Sequence, residues 1–133
     1  MIIPPHLALI AERPASGRSG LAKLLRASGV SVLACGVSSQ LASLARQHRP
    51  DVVVIDLDVA GIDGEQSVAM LEAMTTVILV CPRDIATARL AALEASGALL
   101  VLVKPVTREG LLHAFQQALA ESRGRGVRRN AAA

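Results

Sequence analysis

Three acidic side chains and one lysine in this 133-residue chain fall where chemistry is expected in an open α/β protein. Glu12 follows the apolar run LALIA (7–11), Asp56 ends DVVVID (51–56) with Asp58 two residues on, and Lys104 with Pro105 follows LLVLV (99–103). In a doubly wound sheet, ligands bind beyond the carboxyl ends of the strands. The residues at those ends are Ala11-Glu12-Arg13, Asp56-Leu57-Asp58, Cys81-Pro82 and Lys104-Pro105. Carboxylates from two strands and an ammonium from a third can hold a hard divalent cation with a phosphoryl group beside it. Asp56 ends a fully apolar strand, where an uncompensated charge is costly, so a site role is the stronger reading for it. Lys104 could be an ordinary solvated strand end, but its pairing with Asp56 in this topology favours a functional role. For Asp63, capping the next helix is the simpler account.

The positioning elements are five βα units. Apolar runs at 7–11, 30–35, 51–56, 76–81 and 99–103 alternate with stretches of helical period. The helical stretches are marked by Leu21, Leu24 and Leu25; Leu41, Leu44 and Ala45; Val68, Met70 and Leu71; Ala86, Leu90 and Leu93; and Leu111, Leu112, Phe115 and Leu119. Strands that are apolar throughout are buried on both faces, as in a parallel sheet covered by helices. The expected fold is a doubly wound, five-stranded parallel sheet of order 2-1-3-4-5, flavodoxin-like, with two helices on one face and three on the other. Cys35 and Cys81 would then lie three strand spacings apart, roughly 14 Å. A disulfide needs Cα atoms within about 7 Å, so both thiols should be free.

Composition narrows the function. Phe115 is the only aromatic residue, which leaves almost nothing for stacking on bases and argues against direct nucleic-acid binding. The net charge of +3 is local: Arg123, Arg125, Arg128 and Arg129 lie in the last eleven residues. Removing those 4 from 14 basic residues leaves 10 against 11 acids, so residues 1–122 carry −1. Residues 1–122 read as one domain and 123–133 as a basic tail, either a linker to an output domain or a solvated end. The start lacks the features of a signal peptide, and no apolar run is long enough to span a membrane, so a cytoplasmic location is expected. Ser16-Gly17-Arg18-Ser19-Gly20 lacks the ending of a phosphate loop and reads as a helix start with Ser16 as a cap. His6, His48 and His113 have no metal spacing. Met70 and Met74, at i and i+4, read as a helix-packing pair.

The segment from Pro50 to Gly64, PDVVVIDLDVAGIDG, closely resembles the third-strand motif of response-regulator receiver domains, and Leu102-Val103-Lys104-Pro105 resembles their fifth-strand motif. The resemblance implies a signalling module of two-component systems. Asp56 would accept a phosphoryl group from a histidine kinase or phosphotransfer protein. Lys104 would contact the phosphate, and Mg²⁺ would bind to Glu12, Asp56 and the backbone carbonyl of Asp58. It also implies association through the face of the fourth and fifth helices, here carrying Ile85, Ala88 and Ala92.

Several positions depart from the family pattern. Aligned on Pro14, the two acidic positions after the first strand fall on Ala11 and Glu12, which predicts weak Mg²⁺ binding that Ala11→Asp would tighten. The switch hydroxyl is replaced by Cys81, a poor donor. The next residue, Pro82, has no N–H for the phosphate. The switch aromatic falls at Val101, and a proline before Gly61 is replaced by Ala60. These changes leave two readings: a phosphorylated receiver, or a pseudo-receiver acting as a phosphorylation-independent interaction module. A small flavodoxin-like enzyme or nucleotide binder is disfavoured, because glycine loops and aromatic residues are missing.

Overall fold

A computed structural model describes residues 6–13, 20–59 and 61–132, with side chains to Ser122. The strands are β1 (Leu7–Ala11), β2 (Ser31–Cys35), β3 (Val52–Asp56), β4 (Thr76–Cys81) and β5 (Leu100–Val103). The helices are α1 (Leu21–Ala27), α2 (Leu41–His48), α3 (Gly64–Leu71), α4 (Thr87–Glu94) and α5 (Arg108–Ala132). All four strand pairs are parallel and the order is β2-β1-β3-β4-β5, as expected.

Alternate residues of each strand divide the interior into two cores. Leu9, Val53, Ile55, Leu79 and Cys81 pack with Leu41 and Ala45 of α2, Val68 and Leu71 of α3, and Leu93 of α4. Ile10, Val52, Val54, Ile78 and Val80 pack with Leu21 and Leu25 of α1 and with Leu111, Ala114, Phe115 and Ala118 of α5. Two helices therefore cover one face and three the other. The central strands β3 and β4 are buried along their whole length, whereas the edge strands β2 and β5 are only partly so. Cys35 and Cys81 are free and buried. Their strands are separated by β1 and β3, which explains why they do not pair.

Two helical expectations are corrected. Met70 is 47% exposed and Met74 37%, so neither is a packing residue; Val68 and Leu71 hold α3 to the sheet. Ala86 is the exposed N-cap of α4 and not part of its buried face. The backbone of α5 continues through the basic segment as far as Ala132, so 123–132 extend a helix. Ser16 and Ala60 lie outside the described residues.

The turn after β3 accounts for its own sequence. Gly61 has φ +79°, in the left-handed region that glycine enters without strain. Asp63 is the N-cap of α3, its Oδ1 accepting from the Gln66 N–H at 3.0 Å, as the capping reading expected. A Cβ on Gly64 would sit 3.0 Å from a methyl of Leu57 and 3.1 Å from one of Leu93, so this helix start is packed tightly.

Candidate phosphoryl-acceptor site

The carboxyl edge of the sheet opens into a cleft of about 540 Å³ whose lining includes Glu12, Arg13, Asp56, Asp58, Arg83 and Lys104. At its floor, Lys104 joins two carboxylates. Its Nζ lies 2.9 Å from Asp56 Oδ2 and 2.7 Å from Asp58 Oδ2. The other oxygen of Asp56 accepts the Asp58 N–H at 2.9 Å, which fixes the carboxylate against the turn. Asp56 is buried, Lys104 half-buried and Asp58 exposed. Partial burial works against the Lys104 ammonium. Hydrogen bonds and charge from Asp58 and Asp56 outweigh it and hold its pKa above the ordinary lysine value. A raised lysine pKa means that the bridge is intact at neutral pH and is lost only as pH rises through that raised value.

Glu12 is engaged differently from what the sequence implied. Helix α1 begins at Leu21 behind Gly20, which has no side chain to cap it. Glu12 fills that role: its two carboxylate oxygens accept the N–H groups of Leu21 and Ala22, each at 2.9 Å. These would otherwise be orphan donors of the first turn.

The strand register locates the residues picked out by the alignment on Pro14. Ala11 is the last residue of β1, pairs with Ile55 and is fully buried among Leu9, Cys35 and Ile55. It belongs to the core and is not among the described residues that line the cleft. The two residues that follow the strand are Glu12 and Arg13, and both line the cleft. The sequence reading gave Arg13 no role.

The remaining predicted residues fall around the edge. Cys81 is fully buried in the core that includes Leu79 and Leu93, and burial pushes its thiol pKa up. Neither Cys81 nor Pro82 lines the cleft; Arg83, the next residue, does. Val101, paired with Leu79, packs half-buried against the same core. Asp58 contributes a side-chain contact that the sequence reading, which assigned it only a backbone carbonyl, missed.

This fold and edge define a receiver. The response regulator receiver domain model matches residues 8–116, and the chain belongs to that family. It is 31% identical over 125 residues to the transcriptional regulatory protein PdtaR of Mycobacterium tuberculosis, covering 90% of this chain and 59% of that protein. The chain thus spans about three fifths of that relative's length. Among solved structures, the receiver domain of a LuxO repressor protein from Vibrio parahaemolyticus superposes with a TM-score of 0.79 at 15% identity, covering 92% of this chain and 96% of that one. The receiver domain of the sensor histidine kinase PA1611 from Pseudomonas aeruginosa, with magnesium coordinated in its active-site cleft, gives 0.75 at 18%, covering 87% and 98%.

The donors here do not fit a magnesium ion well. Both Glu12 oxygens are held by α1, Lys104 already sits between Asp56 and Asp58, and Arg13 stands at the next position. Among the described residues, no three His, Cys, Asp or Glu side chains are grouped to hold a metal.

Proposed function

We propose that the chain is a two-component receiver that accepts a phosphoryl group on Asp56 from a histidine kinase or phosphotransfer protein and relays the change to an output domain or partner. The supporting observation is the Lys104 bridge, which holds an ammonium 2.9 Å from the Asp56 carboxylate at the floor of an open cleft. In the transfer, an Asp56 oxygen attacks the phosphorus of a phosphohistidine. The O–P bond forms as the N–P bond breaks, and the imidazole leaves with the electron pair. Lys104 balances the charge gathering on the phosphoryl oxygens. Beyond this self-phosphotransfer and the hydrolysis of the aspartyl phosphate, in which water takes the phosphoryl group as inorganic phosphate and Asp56 is regenerated, the proposal gives the protein no catalytic role. Mg²⁺ is a weak ligand here, for the reasons given by the donors.

Incubation with acetyl phosphate should add the mass of one phosphoryl group to the intact protein, and Asp56→Asn should abolish the gain. A wild type that stays unmodified with both acetyl phosphate and a phosphorylated histidine donor would leave the pseudo-receiver as the correct reading. Cys81 favours that second reading, since it carries a thiol where the usual switch has a hydroxyl and is buried away from the cleft.

Three further assignments complete the proposal. The protein works in the cytoplasm; among the described residues no helix is long and apolar enough to cross a membrane. Output passes through α5 to an output domain or a partner protein. Copies associate through α4 and α5, where Ala88 and Ala92 are exposed and Ile85 half-buried. Light scattering should show dimers at high protein concentration, and Ala92→Glu should restore the monomer; a wild type that is monomeric throughout would remove this face as an interface.

A further inference from the structure

We infer that the cleft is an anion site that needs no divalent metal: Arg13 and Arg83, with Lys104, take a tetrahedral phosphoryl dianion. The register places these cations on both sides of Asp56. Ala11 pairs with Ile55, so the chain leaving β1 carries Glu12 and then Arg13 past Asp56 on one flank. Asp56 pairs with Val80 on the other flank, and Arg83 follows β4 by two residues. Lys104 comes from the end of β5. All three cationic side chains line the same cleft.

Charge within the cleft is balanced only on a formal count. Both Glu12 oxygens are hydrogen-bonded by N–H groups of α1, and Asp56 and Asp58 share the Lys104 ammonium. Neither Arg13 nor Arg83 makes an ion pair with any described residue. Two guanidinium groups therefore add positive charge at the mouth of a cleft whose carboxylates already have partners. A hard divalent cation entering it would meet that charge, whereas a phosphoryl group would meet two planar forks whose N–H groups suit paired oxygens. Asp58 is exposed and can release Lys104 when a stronger anion arrives.

The dianion can be free inorganic phosphate or the group carried on Asp56; only the second source rests on the receiver function proposed above. The test is NMR titration of the whole chain with inorganic phosphate, in EDTA and again in Mg²⁺. In EDTA the wild type should show saturable shifts at residues 12–13, 56–58 and 83. Arg13→Ala and Arg83→Ala should each weaken the affinity roughly twofold to fivefold, the scale of one exposed ion pair. Asp56→Asn should keep phosphate binding while losing the covalent mass gain. Arg13→Asp should weaken phosphate and strengthen Mg²⁺ binding. Both arginines are exposed, so unchanged amide spectra away from the cleft will show that the variants are folded.

Three results would overturn the inference: no phosphate binding in EDTA, binding that appears only with Mg²⁺, or binding that both arginine variants retain unchanged. The two readings fail separately. Phosphate binding without acetyl-phosphate modification sinks the receiver function and supports the anion site. Modification that requires Mg²⁺ and is indifferent to both arginines does the reverse.

Discussion

Ala11→Asp should destabilise the domain by ~3–5 kcal/mol, the range measured when a buried charge is left without a partner. The site is the last position of β1, fully buried, with Leu9, Cys35, Val53 and Ile55 in the same aliphatic core. The Ala11 Cβ faces that core, so a carboxylate there would lose its water and gain no counter-ion. The cost is a large fraction of the ~5–15 kcal/mol that keeps a domain of this size folded. Urea unfolding of the wild type and variant measures it directly. Magnesium gives the decisive comparison. If residue 11 faced the cleft, added Mg²⁺ would bind the new carboxylate and restore the midpoint by mass action. The core placement predicts a midpoint as low with Mg²⁺ as without it.

That case shows how far the sequence could be read. The sheet was legible because DVVVID and TVILVC are apolar throughout, and only a strand buried on both faces needs such a run. The Lys104–Asp56 meeting was legible because strand order alone brings those ends to one edge. That Ala11 is the last residue of the strand and buried in the core was not legible from the alignment on Pro14, because nothing physical ties Pro14 to the strand end. Hydrogen bonding to β3 decides where β1 ends, and that is a long-range fact. Glu12 was missed as a cap for a similar reason. Local rules look for Ser, Thr, Asp or Asn beside the helix, and here the acceptor reaches back over nine residues to serve Leu21. Met70 was misread because α3 is short and the stretch 68–74 fits more than one helical phase; Leu71 and Val68 set the face. Arg83 carried no motif at all, and only the shape of the edge brings it toward Arg13.

Phe115→Ala should cost ~3–5 kcal/mol, as truncating a fully packed aromatic does. Phe115 is 2% exposed and is the largest side chain of the core between the sheet and the α1–α5 layer. Its helical neighbours on that face, Leu111, Ala114 and Ala118, are mostly too short to fill the space it leaves. Phe115→Leu, which keeps more of the volume, should lose less than half as much. Because Phe115 packs on the α1–α5 face, the change leaves the Lys104–Asp56 bridge in place. The folded fraction of Phe115→Ala should therefore still accept phosphoryl groups on Asp56 if the wild type does. What it should lose is the firm docking of α5, seen as faster amide hydrogen exchange along 108–122 than in the rest of the domain. Under the proposed function α5 leads toward the output, so this variant would separate receiving the phosphoryl group from passing the change on. A loss below about 1 kcal/mol, the scale for surface substitutions, would mean that Phe115 is not the anchor of α5.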